Sequence, residues 1–165
     1  KGKHIVTNVS GGSLVDFATI PTKILIHEIN AVDMSITFDN GTSRIWNAKR
    51  KRTITLDSKG IAVKVEGIMN ASGLAATGTN KKGDAFTTTI NEALITNSCT
   101  GIDYKNPKWN VLSGVKTHTV AGKTVMVTYG YNADKQKVAS SCDANTIKVN
   151  YEGPKGSMEG FYTYK

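Results

Sequence analysis

The order of apolar and polar residues along the chain mostly predicts short β-strands. β-branched or alternating runs occupy residues 23–29, 34–38, 53–56 and 61–65. Turn-forming residues separate the last three of these runs, at 39–41 and 57–60. The segment 34–65 is therefore expected to form an antiparallel meander.

The same pattern returns in the second half of the chain. After Cys99, strand-like runs occupy residues 109–112, 116–120, 124–131, 146–151 and 161–164. The second half is therefore also expected to be largely β-sheet.

Helix signals are few. Ser13 lies three residues before Asp16 and is followed by an apolar stretch that Pro21 ends, which predicts at most two helical turns. Thr89 and Glu92 fit a second capping pattern and predict a short helix that leads toward Cys99. Residues 70–82 lack periodicity and are expected to form a surface loop. The expected fold class is α+β: one domain over residues 1–165, an antiparallel sheet with one or two short helices, and a disulfide-bonded C-terminal region.

The chain has two cysteines, and their surroundings favour a disulfide. Cys99 and Cys142 both follow small polar residues, whereas buried free cysteines usually lie in apolar sequence. No Cys-x-x-Cys spacing is present and the three histidines are far apart, so a zinc site is not favoured. A bridge across this spacing stabilises a fold by about 4 kcal/mol in the chain-entropy model. It also predicts an oxidising compartment.

The chain of 165 residues carries a formal net charge of +8, which favours encounters with nucleic acid, anionic lipid or acidic polysaccharide. The densest charge is the run Lys49, Arg50, Lys51 and Arg52. Such a run is typical of a nucleic-acid patch, and it is also typical of charged residues that protect a strand edge from aggregation. The strand-like residues that follow the run favour the second interpretation, and DNA binding stays open.

No motif indicates an enzyme. His27 and Glu28 begin like a zinc-protease motif, but Ala31 stands where the second histidine ligand belongs. Phosphate-binding loops, dinucleotide fingerprints and nucleophile elbows are absent from the sequence. We expect no catalysis, no cofactor and no bound metal. Only the charge and the scattered histidines favour a small secreted hydrolase or nuclease.

Aromatic residues offer a candidate contact surface. Strand alternation places Tyr129 and Tyr131 on one face, and Tyr162 and Tyr164 on another. Such pairs stack on sugars in some proteins, although packing between neighbouring strands is their commoner role. Together with the basic run, Tyr129 and Tyr131 are the predicted interaction surface.

Four segments around the cysteines form a recognisable series: EALITNSC at 92–99, WNVLSGV at 109–115, VASSC at 138–142 and NTIKVNY at 145–151. Together they resemble the C-terminal part of type IV pilins, especially the type IVb branch. The stretch GSLVDFATIP at 12–21 is similar to the short helix and Ile-Pro step that precede the pilin sheet.

The resemblance implies a structural subunit of an extracellular pilus fibre, held in the inner membrane or periplasm before assembly. Its partners would be other pilin subunits and a host surface or glycan, and the region from Cys99 to Cys142 would form the displayed lobe. The N-terminal helix of the family would precede Lys1. The alternative is a secreted all-β adhesin or carbohydrate-binding sandwich, in which the aromatic strand faces bind sugar.

Overall fold

The computed structural model describes residues 1–99, 110–138 and 141–164. In this part of the chain, ten antiparallel strands form one sheet: β1 Lys3–Asn8, β2 Leu25–Thr37, β3 Ser43–Asp57, β4 Gly60–Gly67, β5 Leu74–Thr79, β6 Ala85–Asn97, β7 Asn110–Val120, β8 Lys123–Tyr131, β9 Thr146–Gly153 and β10 Gly156–Thr163. The spatial order is β1-β2-β3-β4-β6-β7-β8-β9-β10, and β5 pairs with β3 and β6. β1 and β10 are the two ends of this order.

The predicted α+β class is wrong. Strands account for 64% of the described residues and helical residues for 3%. The one helical element in the described part of the chain is a 3₁₀ helix, Leu14–Ala18, where a short helix was predicted. The Ser13 N–H donates to the carboxylate of Asp16 at 2.9 Å, as the capping pattern predicts. No helix among the described residues is long and apolar enough to cross a membrane.

The predicted helix before Cys99 is strand β6. Its central residues are paired on both sides: Thr89 lies opposite Leu74 of β5 and Thr117 of β7. The run of β-branched residues at 87–90 suits a paired strand, and these two ladders outweigh the local capping signal.

The predicted surface loop at 70–82 contains strand β5. Ala75 and Ala76 are buried, and Gly78 lies so close to β3 that a Cβ atom would overlap the carbonyl oxygen of Ile45. Small residues permit this approach, and they also leave the strand without the apolar alternation that predicts strands from sequence.

The meander predicted for 34–65 is confirmed, with longer strands than expected. Two predicted strands merge into β2, which contains a register shift between Ala31 and Met34. The basic run belongs to the middle of β3 and leads directly into the predicted strand 53–56.

The apolar core at one end of the sheet holds the 3₁₀ helix in place. Phe17 of that helix packs with Leu25, Ile54 and Ile61, and all four are buried. The predicted disulfide is present: Cys99 follows β6 and Cys142 precedes β9, with Cα atoms 5.7 Å apart.

Candidate functional site

The basic run is divided between the two faces of β3. Side chains alternate between the faces of a strand, so Arg50 and Arg52 lie on one face and Lys49 and Lys51 on the other. Arg44 shares the face of Arg50 and Arg52. We call the surface around Arg44, Arg50 and Arg52 the arginine face, and the surface around Lys49, Lys51, Lys64 and Glu66 the lysine face.

The lysine face contains a carboxylate that neutralises part of its charge. Lys64 Nζ lies 2.9 Å from Glu66 Oε1, and Lys51 Nζ lies 3.2 Å from Oε2. The hydrogen bond from Lys64 is the main cause that lowers the pKa of Glu66, and burial acts in the opposite direction. Glu66 therefore stays ionised between two cations.

None of the described residues supplies such a carboxylate to the arginine face. The residues opposite Arg50 are Ile29 and Gly67, and those opposite Arg52 are His27 and Val65. None of the three arginines forms an ion pair with the described residues. They are also the only arginines of the chain.

The three histidines lie on the arginine face as well. His27 is opposite Arg52, while His4 is opposite Ala31, which is itself opposite Ala48 of β3. His118 is opposite Thr88, and Thr88 lines the same cavity as Arg50. The three histidines are far apart in the sequence and belong to β1, β2 and β7. Their common face follows from the pairing of the strands and not from their spacing along the chain.

Arg50 has the least favourable environment of the three arginines. It is half-buried, and its Nε is shielded from solvent and makes no hydrogen bond to the described residues. Burial is the main cause that lowers its pKa, and the charge of Arg52 adds to the effect. A desolvated cation without a counter-ion costs free energy, which a bound anion would offset.

A small cavity lies beside Arg50. Its volume is about 140 Å³. Lys116 of β7 is the second cation at its wall, and the other lining residues are Val65, Ala75, Thr88, Ile90 and Leu94. Two cations from strands far apart in sequence thus flank one largely apolar cavity.

Aromatic rings, and not carboxylates, accompany Arg44 and Lys116 on this face. Arg44 Cζ lies 5.3 Å from the centre of the Trp46 ring and 5.2 Å from that of Phe86. Lys116 Nζ lies 5.5 Å from the centre of the Tyr129 ring. Cation–π contacts of this kind stabilise modestly and leave the positive charge available.

Tyr129 and Tyr131 do not share a face. The register between β8 and β9 shifts between Thr128 and Tyr131. Tyr129 therefore lies on the arginine face with Lys116, whereas the Tyr131 ring contacts Phe161 on the opposite face, with ring centres 5.2 Å apart. Gly130, with φ of 94°, adopts the backbone that this irregularity requires.

The second predicted tyrosine pair, Tyr162 and Tyr164, does not offer two free rings for stacking on a sugar. The Tyr164 hydroxyl donates to the carbonyl of Val111 at 3.0 Å, and burial raises the pKa of Tyr164. Tyr162 is 58% exposed. Only one member of the pair is thus free to meet a ligand.

The described residues contain no group of three or more His, Cys, Asp and Glu side chains that could hold a metal ion. His27, the residue that begins the incomplete zinc-protease motif, lies in β2 beside Arg52. Its neighbourhood is therefore cationic, which disfavours a metal cation.

Comparisons with known proteins identify no relative: no family model, no curated protein and no solved structure matches this chain. The pilin resemblance therefore has no independent support. Its segment 92–99, for which the capping pattern predicted a helix, belongs mostly to strand β6, and its residues Trp109, Ala139 and Ser140 lie outside the described residues.

Proposed function

We propose that this chain is a non-catalytic binding module of an exported protein, and that its arginine face binds an acidic polysaccharide. The observation that carries the proposal is the grouping of Arg44, Arg50 and Arg52 on one face without a carboxylate partner among the described residues. This function belongs to the adhesin and carbohydrate-binding alternative of the sequence analysis.

Guanidinium groups suit this role. Each presents several N–H donors in a planar fork that matches the geometry of a carboxylate or sulfate group. Arg50 and Arg52 are two residues apart on one strand face, which sets their Cα atoms about 7 Å apart. Successive anionic groups of a polymer can therefore contact neighbouring arginines.

Two features favour an acidic polysaccharide over a nucleic acid. The disulfide Cys99–Cys142 fits an oxidising compartment, where cell-surface polysaccharides are common and nucleic acids are scarce. Trp46 and Tyr129 lie beside cations on the same face, and aromatic rings pack against the apolar faces of sugars.

Retention on immobilised heparin and polygalacturonate, eluted with a salt gradient, tests the proposal. The R50Q/R52Q variant should elute at much lower salt than the wild type. The K49Q/K51Q variant is the matched control, because it removes the same charge from the same strand on the lysine face. It should elute close to the wild type.

Equal losses of retention in the two variants would show binding by net charge alone and would contradict the proposal. A column of immobilised duplex DNA tests the alternative, that the arginine face binds nucleic acid. If DNA retains the chain at higher salt than both polysaccharides do, and R50Q/R52Q abolishes that difference, the arginine face binds nucleic acid instead.

The function of a pilus subunit stays a prediction. The disulfide and the β-rich C-terminal half support it. The segment before Cys99, predicted as a helix, is strand β6, and this weighs against it. The test is the native sequence upstream of Lys1: an apolar helix there supports a fibre subunit, and its absence from the gene contradicts one.

A further inference from the structure

A second cavity, larger than the one at Arg50, lies beside Leu14 of the 3₁₀ helix. Its volume is about 330 Å³. The lining residues are Leu14, Arg52, Ile54, Ile61, Val63 and Thr96. We infer that this pocket binds the aliphatic tail of a medium-chain carboxylate, with the carboxylate at Arg52.

The position of the pocket follows from the way the 3₁₀ helix packs. Phe17 anchors the helix against Leu25, Ile54 and Ile61, which leaves Leu14 at the other end of the helix as one wall. Ile54 and Val63 lie opposite each other on β3 and β4 and form the floor. The helix thus covers an apolar strip of the sheet without filling it.

The chemistry of the lining selects an amphiphilic anion. Of the six described residues that line the pocket, four are aliphatic and Arg52 is the single charged one. The Thr96 hydroxyl already donates to the carbonyl of Val63 at 3.2 Å. Arg52 is exposed and makes no ion pair with the described residues, so it is free to meet a negative group at the mouth.

The size of the pocket limits the ligand. Small-molecule sites have volumes of roughly 300–1,000 Å³, and this pocket is at the lower end of that range. Burying an alkyl tail against Ile54, Ile61 and Val63 supplies hydrophobic free energy, and the guanidinium supplies a charge-assisted hydrogen bond. A short fatty acid provides both groups in one molecule.

Titration with octanoate, followed by isothermal calorimetry and by amide chemical shifts, tests the inference. Octanol is the control for the tail alone, and acetate is the control for the carboxylate alone. Octanoate should bind at least tenfold more tightly than either control, with shifts at residues of β3, β4 and the 3₁₀ helix. Octanol binding as tightly as octanoate would overturn the role of Arg52 and with it the inference.

Variants on one strand separate the charge from the pocket. R52Q should weaken octanoate binding about tenfold and leave octanol unchanged, because a hydrogen bond to a charged group accounts for such a factor. K51Q removes a charge one residue away on the lysine face and should leave octanoate binding unchanged. Equal effects of R52Q and K51Q would contradict the inference.

Variants of the 3₁₀ helix test the wall without touching the sheet. Leu14 and Val15 are 46% and 78% exposed, so glutamine is tolerated at both positions and adds no charge beside Arg52, but only Leu14 lines the pocket. L14Q should strongly weaken octanoate binding, and V15Q should preserve it. Loss of binding in both variants, or in neither, would overturn the proposed location.

The outcome is distinguishable from that of the polysaccharide experiment. L14Q leaves the charge of all three arginines unchanged, so its retention on heparin should fall no further than that of V15Q. Absence of octanoate binding in the wild type overturns this inference and leaves the polysaccharide proposal standing. If the wild type binds octanoate but heparin does not retain it, the polysaccharide proposal is overturned and this inference stands.

Discussion

The two faces of β3 carry equal shares of one basic run but differ in what surrounds the charge. On the lysine face, Glu66 lies between Lys51 and Lys64 and compensates them. On the arginine face, Arg50 and Arg52 have apolar residues, glycine and histidine opposite them. The difference teaches that net charge says little about a binding surface until each cation is matched to its partner.

The largest expected effect is on the free energy of unfolding, and it follows from removing the disulfide. The same variant tests whether the difference between the two faces of β3 depends on that bridge. Replacing Cys99 and Cys142 by alanine should lower the free energy of unfolding by about 4 kcal/mol, because the bridge closes a loop spanning 43 positions. Urea denaturation of the variant and the wild type measures the loss.

The difference between the faces should survive this change wherever the variant is still folded. At urea concentrations below those that unfold the cysteine-free variant, R50Q/R52Q should still reduce its heparin retention more than K49Q/K51Q does. If the faces become equivalent in a folded variant, their difference depends on the bridge and not on the register of β3.

Replacing Arg50 by methionine should stabilise the fold while it weakens binding. The Nε of Arg50 is buried without a hydrogen bond, and an apolar side chain of similar length removes this desolvation cost. We expect a gain of about 1 kcal/mol in the free energy of unfolding, together with earlier elution from heparin.

K49M is the matched control on the lysine face and should change stability by less than about 0.5 kcal/mol. A loss of stability in R50M would mean that the guanidinium has a structural partner. That result would contradict the proposal that Arg50 is available to bind an anion.

Part of this picture could be predicted from the sequence. The alternation Lys-Arg-Lys-Arg beside a strand-like run already separates arginines from lysines once a strand is assumed. The flanks of Cys99 and Cys142 predicted the disulfide, and the turns at 39–41 and 57–60 predicted the meander. These signals are local, so a single sequence contains them.

The features that the sequence could not predict depend on distant residues. β5 consists of small residues whose role is to fit between β3 and β6, and the strand nature of 89–95 depends on pairing with β5 and β7. The irregularity at Gly130 reverses the expected alternation and separates Tyr129 from Tyr131. The carboxylate that distinguishes the two faces, Glu66, belongs to another strand.

The smallest expected effect concerns acid, and it belongs to the lysine face. The pKa of Glu66 is lowered in the folded chain from its ordinary value of 4.5, so its stabilising contribution is present above that value and is lost as the pH falls through the folded pKa. E66Q removes the contribution, and because the pair is partly exposed the loss at pH 7 should be about 0.5 kcal/mol.

Urea denaturation at pH 7 and pH 3 should therefore show a difference between the wild type and E66Q that shrinks in acid. Heparin retention provides the second measurement. At pH 7, E66Q should leave the difference between R50Q/R52Q and K49Q/K51Q intact, because Glu66 does not face the arginines. If E66Q instead makes the two pairs of substitutions equivalent, the carboxylate acts across the sheet, and the separation into two independent faces fails.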